Sequence, residues 1–141
     1  MPQVRNEQMQ AFQPEADTVF VRRLASEIRA RQAETVVRLP TSTMPVRELP
    51  EATLREMVRD GIERARGYGM TSEAGLACFV VLMFVVSPNF DEHPAIKLRL
   101  TDEKVQADAR VKGLPKTVAE PDWEAARSSY EPSAWKVAQG G

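Results

Sequence analysis

The chain is predicted to be an all-α protein: a compact bundle of five or six helices around a central apolar helix at about 72–86. Two observations support this. Hydrophobic residues recur with helical spacing along most of the 141 residues, while alternating strand pattern is nearly absent. In addition, no polar side chain occurs from Ala74 to Val86. A segment that is apolar on every side must be covered by neighbouring elements or by a partner.

The first long helix is predicted at about 15–31. Phe20, Leu24 and Ile28 recur at intervals of four, and arginines occupy the opposite side. The pattern indicates an amphipathic helix with a basic outer face. A shorter helical turn that includes Met9 and Phe12 is expected before it.

Residues 33–49 interrupt the helical pattern. Val36, Val37 and Leu39 fit either a brief extended piece or a frayed continuation of the first helix, and the sequence leaves both open. The cluster of proline, serine and threonine at 40–45 predicts a loop.

The second long helix is predicted to begin at Pro50, because proline suits the first helical position. Gly67 and Gly69 can supply the positive φ angles that close it. Thr71 or Ser72 then caps the apolar helix. The valines of that helix make a strand the rival interpretation, but its length favours a helix, and Pro88 ends it.

Three further helices are predicted in the last third of the chain. They cover 94–100, a segment from Thr101 or Asp102 to Gly113, and a segment that begins at Pro121 and carries Trp123, Ala126 and Tyr130 on one side. We therefore predict one helical domain over 1–131 and a weakly ordered tail at 132–141.

The composition disfavours several functional classes. With 19 basic and 20 acidic residues, the chain lacks the charge of a typical nucleic-acid-binding protein. The helix after Gly69 is too apolar to read bases. One cysteine cannot form an internal disulfide. The apolar run is shorter than the roughly 20 residues that span a bilayer, and no signal peptide is evident. We expect a cytoplasmic protein with no membrane span and no nucleic-acid partner.

No catalytic or metal-binding pattern emerges. Asp91, Glu92 and His93 are adjacent, so their side chains are poorly placed to converge on one ion, and no second histidine is available. The thiol of Cys78 in an apolar helix is expected to have a raised pKa, which disfavours its use as a nucleophile. We predict no cofactor, no metal and no enzymatic activity, with a small enzyme based on Asp91 and Glu92 as an alternative.

Aromatic residues near charged corners suggest protein recognition. The predicted partner-binding residues are Tyr68, Met70, Phe90, Asp91, Trp123, Tyr130 and Trp135. The competing interpretation for Phe90 and Trp123 is that they close the bundle over its core. Trp135 lies in the predicted tail and is the better candidate for an interface.

Four pieces of the sequence, at 7–12, 20–24, 62–73 and 88–94, resemble a group of small helical bacterial proteins associated with type VI secretion effector gene neighbourhoods. The resemblance spans about residues 7–100 and identifies no functional residues. It implies a non-enzymatic accessory protein, acting as an adaptor, chaperone or immunity-type partner of a secreted effector. The alternative is a self-assembling structural component of a secretion or phage-like particle, and homo-oligomers are compatible with either role.

Overall fold

The structure, a computed structural model, describes residues 14–137, with side chains from Asp17 onward. It is mostly helical in that range, which confirms the predicted all-α class. The elements are α1 (Pro14–Arg31), β1 (Val36–Arg38), β2 (Thr43–Pro45), α2 (Glu51–Gly67), α3 (Glu73–Val85), α4 (Pro94–Leu100), α5 (Ala107–Thr117) and α6 (Glu120–Ser128). The helical turn expected at Met9 and Phe12, and residues 138–141, lie outside the described range.

Helix α3 lies at the centre of the bundle, as predicted. Phe79, Val80 and Met83 are completely buried on the side that faces α2. The two helices approach closely at Gly61 of α2, where an added Cβ would stand 2.9 Å from the Met83 sulfur and 3.0 Å from a Val80 methyl. A glycine at this position therefore permits the tight packing of α2 on α3.

Helices α1 and α3 run in the same direction, each antiparallel to α2. The Arg29 guanidinium, near the end of α1, donates to the Leu49 carbonyl just before α2. Arg66, near the end of α2, pairs with Asp17 in the first turns of α1. A short turn then reverses the chain into α3, and Gly69 adopts the positive φ of 97° that we expected of one or both glycines.

The start of α3 is capped by its own residues and by α5. Ser72 Oγ accepts from the Gly75 backbone N–H at 3.0 Å, as expected for an N-cap serine. Asp108 of α5 accepts from the backbone N–H and hydroxyl groups of both Thr71 and Ser72. Burial by itself would raise the pKa of Asp108, but these four hydrogen bonds lower it below its ordinary value.

Residues 33–49 contain a short hairpin, which decides between the alternatives that the sequence left open. Strands β1 and β2 are antiparallel, with Val37 opposite Met44. The loop predicted at 40–45 is thus too long, because its last three residues form β2. Val37 is completely buried, and the side chain supplies the apolar contact that anchors this small sheet to the helices.

Helix α4 begins at Pro94 as predicted, but the bounds expected for α5 are wrong. Helix α5 starts at Ala107 rather than at Thr101 or Asp102, and it continues past Gly113 to Thr117. Pro115 lies inside it and lacks the N–H that would bond to the Val111 carbonyl. That carbonyl instead accepts from the Cys78 thiol, at 3.8 Å, so α3 compensates for the missing bond.

The last helix, α6, buries Trp123 and Ala126 as expected, but Tyr130 lies beyond its end. The chain after Pro132 is packed rather than loose as far as Val137: a 3-10 turn forms at Pro132–Ala134 and Trp135 enters the core. The prediction of a weakly ordered tail therefore does not hold for residues 132–137.

Candidate partner-binding surface

The structure places most of the seven predicted partner-binding residues inside the molecule. Met70, Phe90, Asp91, Trp123 and Trp135 are buried, and Tyr68 and Tyr130 are half-buried. Phe90 and Trp123 occupy the positions expected if they close the core. Whether any of the seven contacts a partner stays a prediction, and their burial does not favour it.

Asp91, Tyr68 and Arg64 form one partly buried polar cluster. The Asp91 carboxylate accepts from the Arg64 guanidinium at 2.6 Å and from the Tyr68 hydroxyl at 2.8 Å. Burial and then the adjacent Asp91 charge raise the pKa of Tyr68. Each carboxylate oxygen of Asp91 therefore accepts a hydrogen bond from within the fold. The cluster has a structural role, since it joins the 90–92 turn to the end of α2.

Trp135 and Tyr130 form a second cluster, at the far end of α3. The Trp135 ring packs on Phe84 with centroids 4.9 Å apart, and its Nε1–H donates to the Tyr130 hydroxyl oxygen at 2.8 Å. The same oxygen accepts from the backbone N–H of Arg38 in β1. The expectation of Trp135 as an exposed interface anchor is therefore corrected, because its ring is only 1% exposed.

The surface near Glu92 has mixed charge. A polar hollow of about 220 Å³ is lined by Arg64, Asn89, Glu92, Glu131, Ser133, Ala134 and Lys136. The nearby Asp60 carboxylate has a pKa raised mainly by burial and lowered in part by Arg64 and Lys136. His93 Nε2 lies 3.2 Å from Asp122 Oδ1 rather than beside Asp91. Among residues 17–137, no three histidine, cysteine, aspartate or glutamate side chains are grouped as metal ligands.

The strongest candidate surface lies on α3 itself. Ala74 and Val85 are exposed, and Cys78 and Val81 are half-buried. Their intervals of four, three and four residues place them on one side of the helix, because successive residues turn by about 100°. They form a continuous apolar seam about 17 Å long. The most apolar helix of the chain is thus left partly uncovered.

Two neighbouring helices form walls on either side of this seam. Arg23 of α1 pairs with Glu73 at 2.6 Å, and Val111 of α5 contacts Cys78. Around α3, Glu73 lies about 100° to one side of Ala74, and Gly75, where an added Cβ would meet Asp108 of α5, lies about 100° to the other side, so the seam projects between them. The seam therefore faces outward, with α1 on one side and α5 on the other. We call it the α3 groove.

Sequence reasoning did not single out the α3 groove. It recognised that the apolar run needs covering, but it assigned no side of α3 to solvent. The available signal is the size of the residues: Ala74, Ala77 and Cys78 are smaller than the buried Leu76 and Phe79. That signal is weak, since small residues also occur where helices pack closely.

No protein-family model, curated protein or solved structure matches this chain. None of the helices between residues 14 and 137 is long and apolar enough to cross a membrane. The fold defines a class only: an all-α protein whose central helix leaves part of one apolar side exposed.

Proposed function

We propose that this protein is a non-enzymatic binding partner of another protein, and that the partner docks in the α3 groove. The observation that carries this proposal is the exposure of Val85, at 44%, together with Ala74 on the central helix of the fold. A contiguous apolar strip on a surface is typical of an interaction site.

The geometry of the groove suits a helical partner. Residues Ala74, Cys78, Val81 and Val85 repeat the spacing by which one helix packs against another in coiled coils. Helix-in-groove docking with anchors at such intervals is a common mode of peptide recognition. The groove length corresponds to about three helical turns of the partner.

The resemblance to proteins of type VI secretion effector neighbourhoods suggests which partner to test. In this proposal the protein is an accessory of a secreted bacterial effector or of a secretion component, in an adaptor, chaperone or immunity-type role. The groove supports partner binding in general and does not distinguish among those three roles.

Co-purification of the full-length protein with the products of neighbouring genes tests this proposal. Val85→Glu introduces a charge into the groove at an exposed position and is expected to weaken capture at least about tenfold while leaving the fold intact. Leu98→Glu is the matched control, because Leu98 is 68% exposed on α4, which does not border the groove. Equal capture by both variants would place the interface elsewhere, and a lack of any stable partner would count against the proposal itself.

Self-assembly is the second candidate, and one observation favours it. If two copies packed their seams antiparallel, Ala74 would face Val85 and Cys78 would face Val81, so that small residues meet larger ones. Light scattering over a range of protein concentrations distinguishes the two candidates. A stable dimer that Val85→Glu dissociates would support self-assembly.

A further inference from the structure

We propose that the occupant of the α3 groove is an amphipathic helix of another protein whose flank facing α5 is acidic. This inference rests on the proposed docking function and adds the chemistry of the partner. Two observations support it. The side chains on one border of the groove are basic, and a second copy of the chain would bring like charges together there.

The wall formed by α5 is basic. Helix α5 runs in the same direction as α3, since Asp108 meets Ser72 and Val111 meets Cys78. The next exposed residues along this wall are Lys112 and Lys116, one helical turn apart. Neither makes an ion pair with another described residue, so both ammonium groups are available to a partner.

The positive charge extends around α5. Helix α5 itself contains three basic side chains, those of Arg110, Lys112 and Lys116, and one acidic side chain, that of Asp108, in a chain whose net charge is −1. The Asp108 carboxylate is engaged at the start of α3. Arg110 donates to the carbonyls of Leu100 and Val105 and so keeps its charge without a carboxylate partner. An acidic partner would be attracted to this side by complementary charge.

The wall formed by α1, in contrast, carries both positive and negative charges. Arg23 is paired with Glu73, and the next residue on that side, Glu27, is exposed. The acidic preference therefore applies to one flank of the docked helix, the flank that lies along α5. This asymmetry also fixes the direction in which an amphipathic helix with one acidic flank can dock.

A second copy of the chain fits the groove poorly for electrostatic reasons. Antiparallel pairing, which matches small residues to large ones, requires a two-fold axis across the groove. That axis brings the α5 wall of one copy against the α5 wall of the other, so the Lys112 and Lys116 pair of one copy would lie near the same pair of the other. Like charges placed together at an interface disfavour the complex. A foreign helix with carboxylates on that flank lacks this conflict.

The test uses two hydrocarbon-stapled model helices with the same leucine seam, one flanked by glutamates and the other by lysines. Occupancy is read from the alkylation rate of Cys78, which lies in the groove and is the only cysteine of the chain. We expect the glutamate helix to slow alkylation about threefold at a concentration of about twice its Kd. The lysine helix is expected to protect less at the same concentration.

The double variant K112E/K116E should invert this preference, whereas K97E/K104E, with the same change in net charge, should retain it. Burial raises the pKa of the Cys78 thiol and Lys112 partly offsets this, so each variant is compared with its own rate without peptide.

Equal protection by both helices would overturn the acidic preference and leave the docking proposal standing. Protection by neither would overturn helix docking in the groove, while capture of a partner sensitive to Val85→Glu would still support the docking function. Protection that rises with protein concentration alone would identify a second copy as the occupant. Protection by anionic phosphatidylserine vesicles, but not by the helices, would identify a membrane surface. Each of the last two outcomes overturns the inference.

Discussion

The contact between Gly75 of α3 and Asp108 of α5 links two helices that are distant in sequence. Asp108 reaches the start of α3 only because Gly75 has no side chain: an added Cβ would overlap the Asp108 carboxylate and stand 2.9 Å from its Cγ. In return, the carboxylate holds Ser72, whose hydroxyl caps the Gly75 N–H. The pair therefore connects the start of α3 to α5.

Gly75→Ala is expected to lower the free energy of unfolding by about 1–3 kcal/mol, because Asp108 must withdraw from the helix start. Gly67→Ala is the control, since nothing lies within 4 Å of its Cβ position, and it should be neutral or slightly stabilising. Denaturant unfolding of the single variants and of Gly75→Ala in an Asp108→Ala background measures the effect. A cost that persists without Asp108 would show that the clash is not its cause.

The capping role of Asp108 also predicts a pH dependence. Its pKa is lower in the folded protein than the ordinary value of 3.8. Its ionised form therefore stabilises the fold above pH 3.8, and this contribution is lost as the pH falls through the lowered value. We expect the difference in stability between the wild type and Asp108→Asn to shrink below about pH 4. A difference that is constant from neutral pH to pH 3 would contradict this.

At the scale of the element, α3 has two apolar sides that its sequence distinguishes only weakly, by residue size. One side is completely buried at Phe79, Val80 and Met83, and the other is open at Ala74 and Val85. Both sides are apolar, so only the positions of α1 and α5 determine which one faces solvent. The helix is therefore both the core of the fold and the proposed docking surface.

Substitutions on the two sides of α3 are expected to differ sharply in how much they lower the free energy of unfolding. Phe79→Ala should cost about 3–5 kcal/mol, because it opens a cavity among fully buried side chains. Val85→Ala on the same helix should change stability by no more than about 0.5 kcal/mol, since Val85 is exposed and alanine has the higher helix propensity. Thermal or denaturant unfolding compares them. Similar losses for both would mean that α3 is covered on both sides.

At the scale of the whole molecule, residues 129–135 close the bundle. Trp135 packs on Phe84 of the central helix and donates to Tyr130, which also accepts from Arg38 in β1. Asn89 adds to this closure, because its side chain bonds to the backbone of Ser129 and Glu131. The last third of the chain thus connects the hairpin to the end of α3.

Trp135→Ala should lower the free energy of unfolding by about 3–5 kcal/mol, as expected for a buried aromatic side chain. Lys136→Ala, one residue further and exposed, is the control and should have little effect. Unfolding followed by circular dichroism measures both without relying on tryptophan emission. If the two variants were equally stable, residues 132–137 would not be part of the cooperative unit.

The sequence determined the class of fold and most of the helices, because both depend on local patterns. The spacing of Phe20, Leu24 and Ile28, the proline at Pro94, and Ser72 before the apolar run each act within a few residues. The central position of α3 also followed from the sequence, since a helix without a polar side needs cover on most of its surface.

The tertiary structure decided what depends on residues far apart in the chain. The end of α5 was misplaced because the helix continues through Pro115, with the Val111 carbonyl accepting from Cys78 of α3, and Trp135 was misplaced because its partner Phe84 is distant in sequence. The open side of α3 was decided only by packing, because a helix that is apolar all round carries no periodic signal for direction.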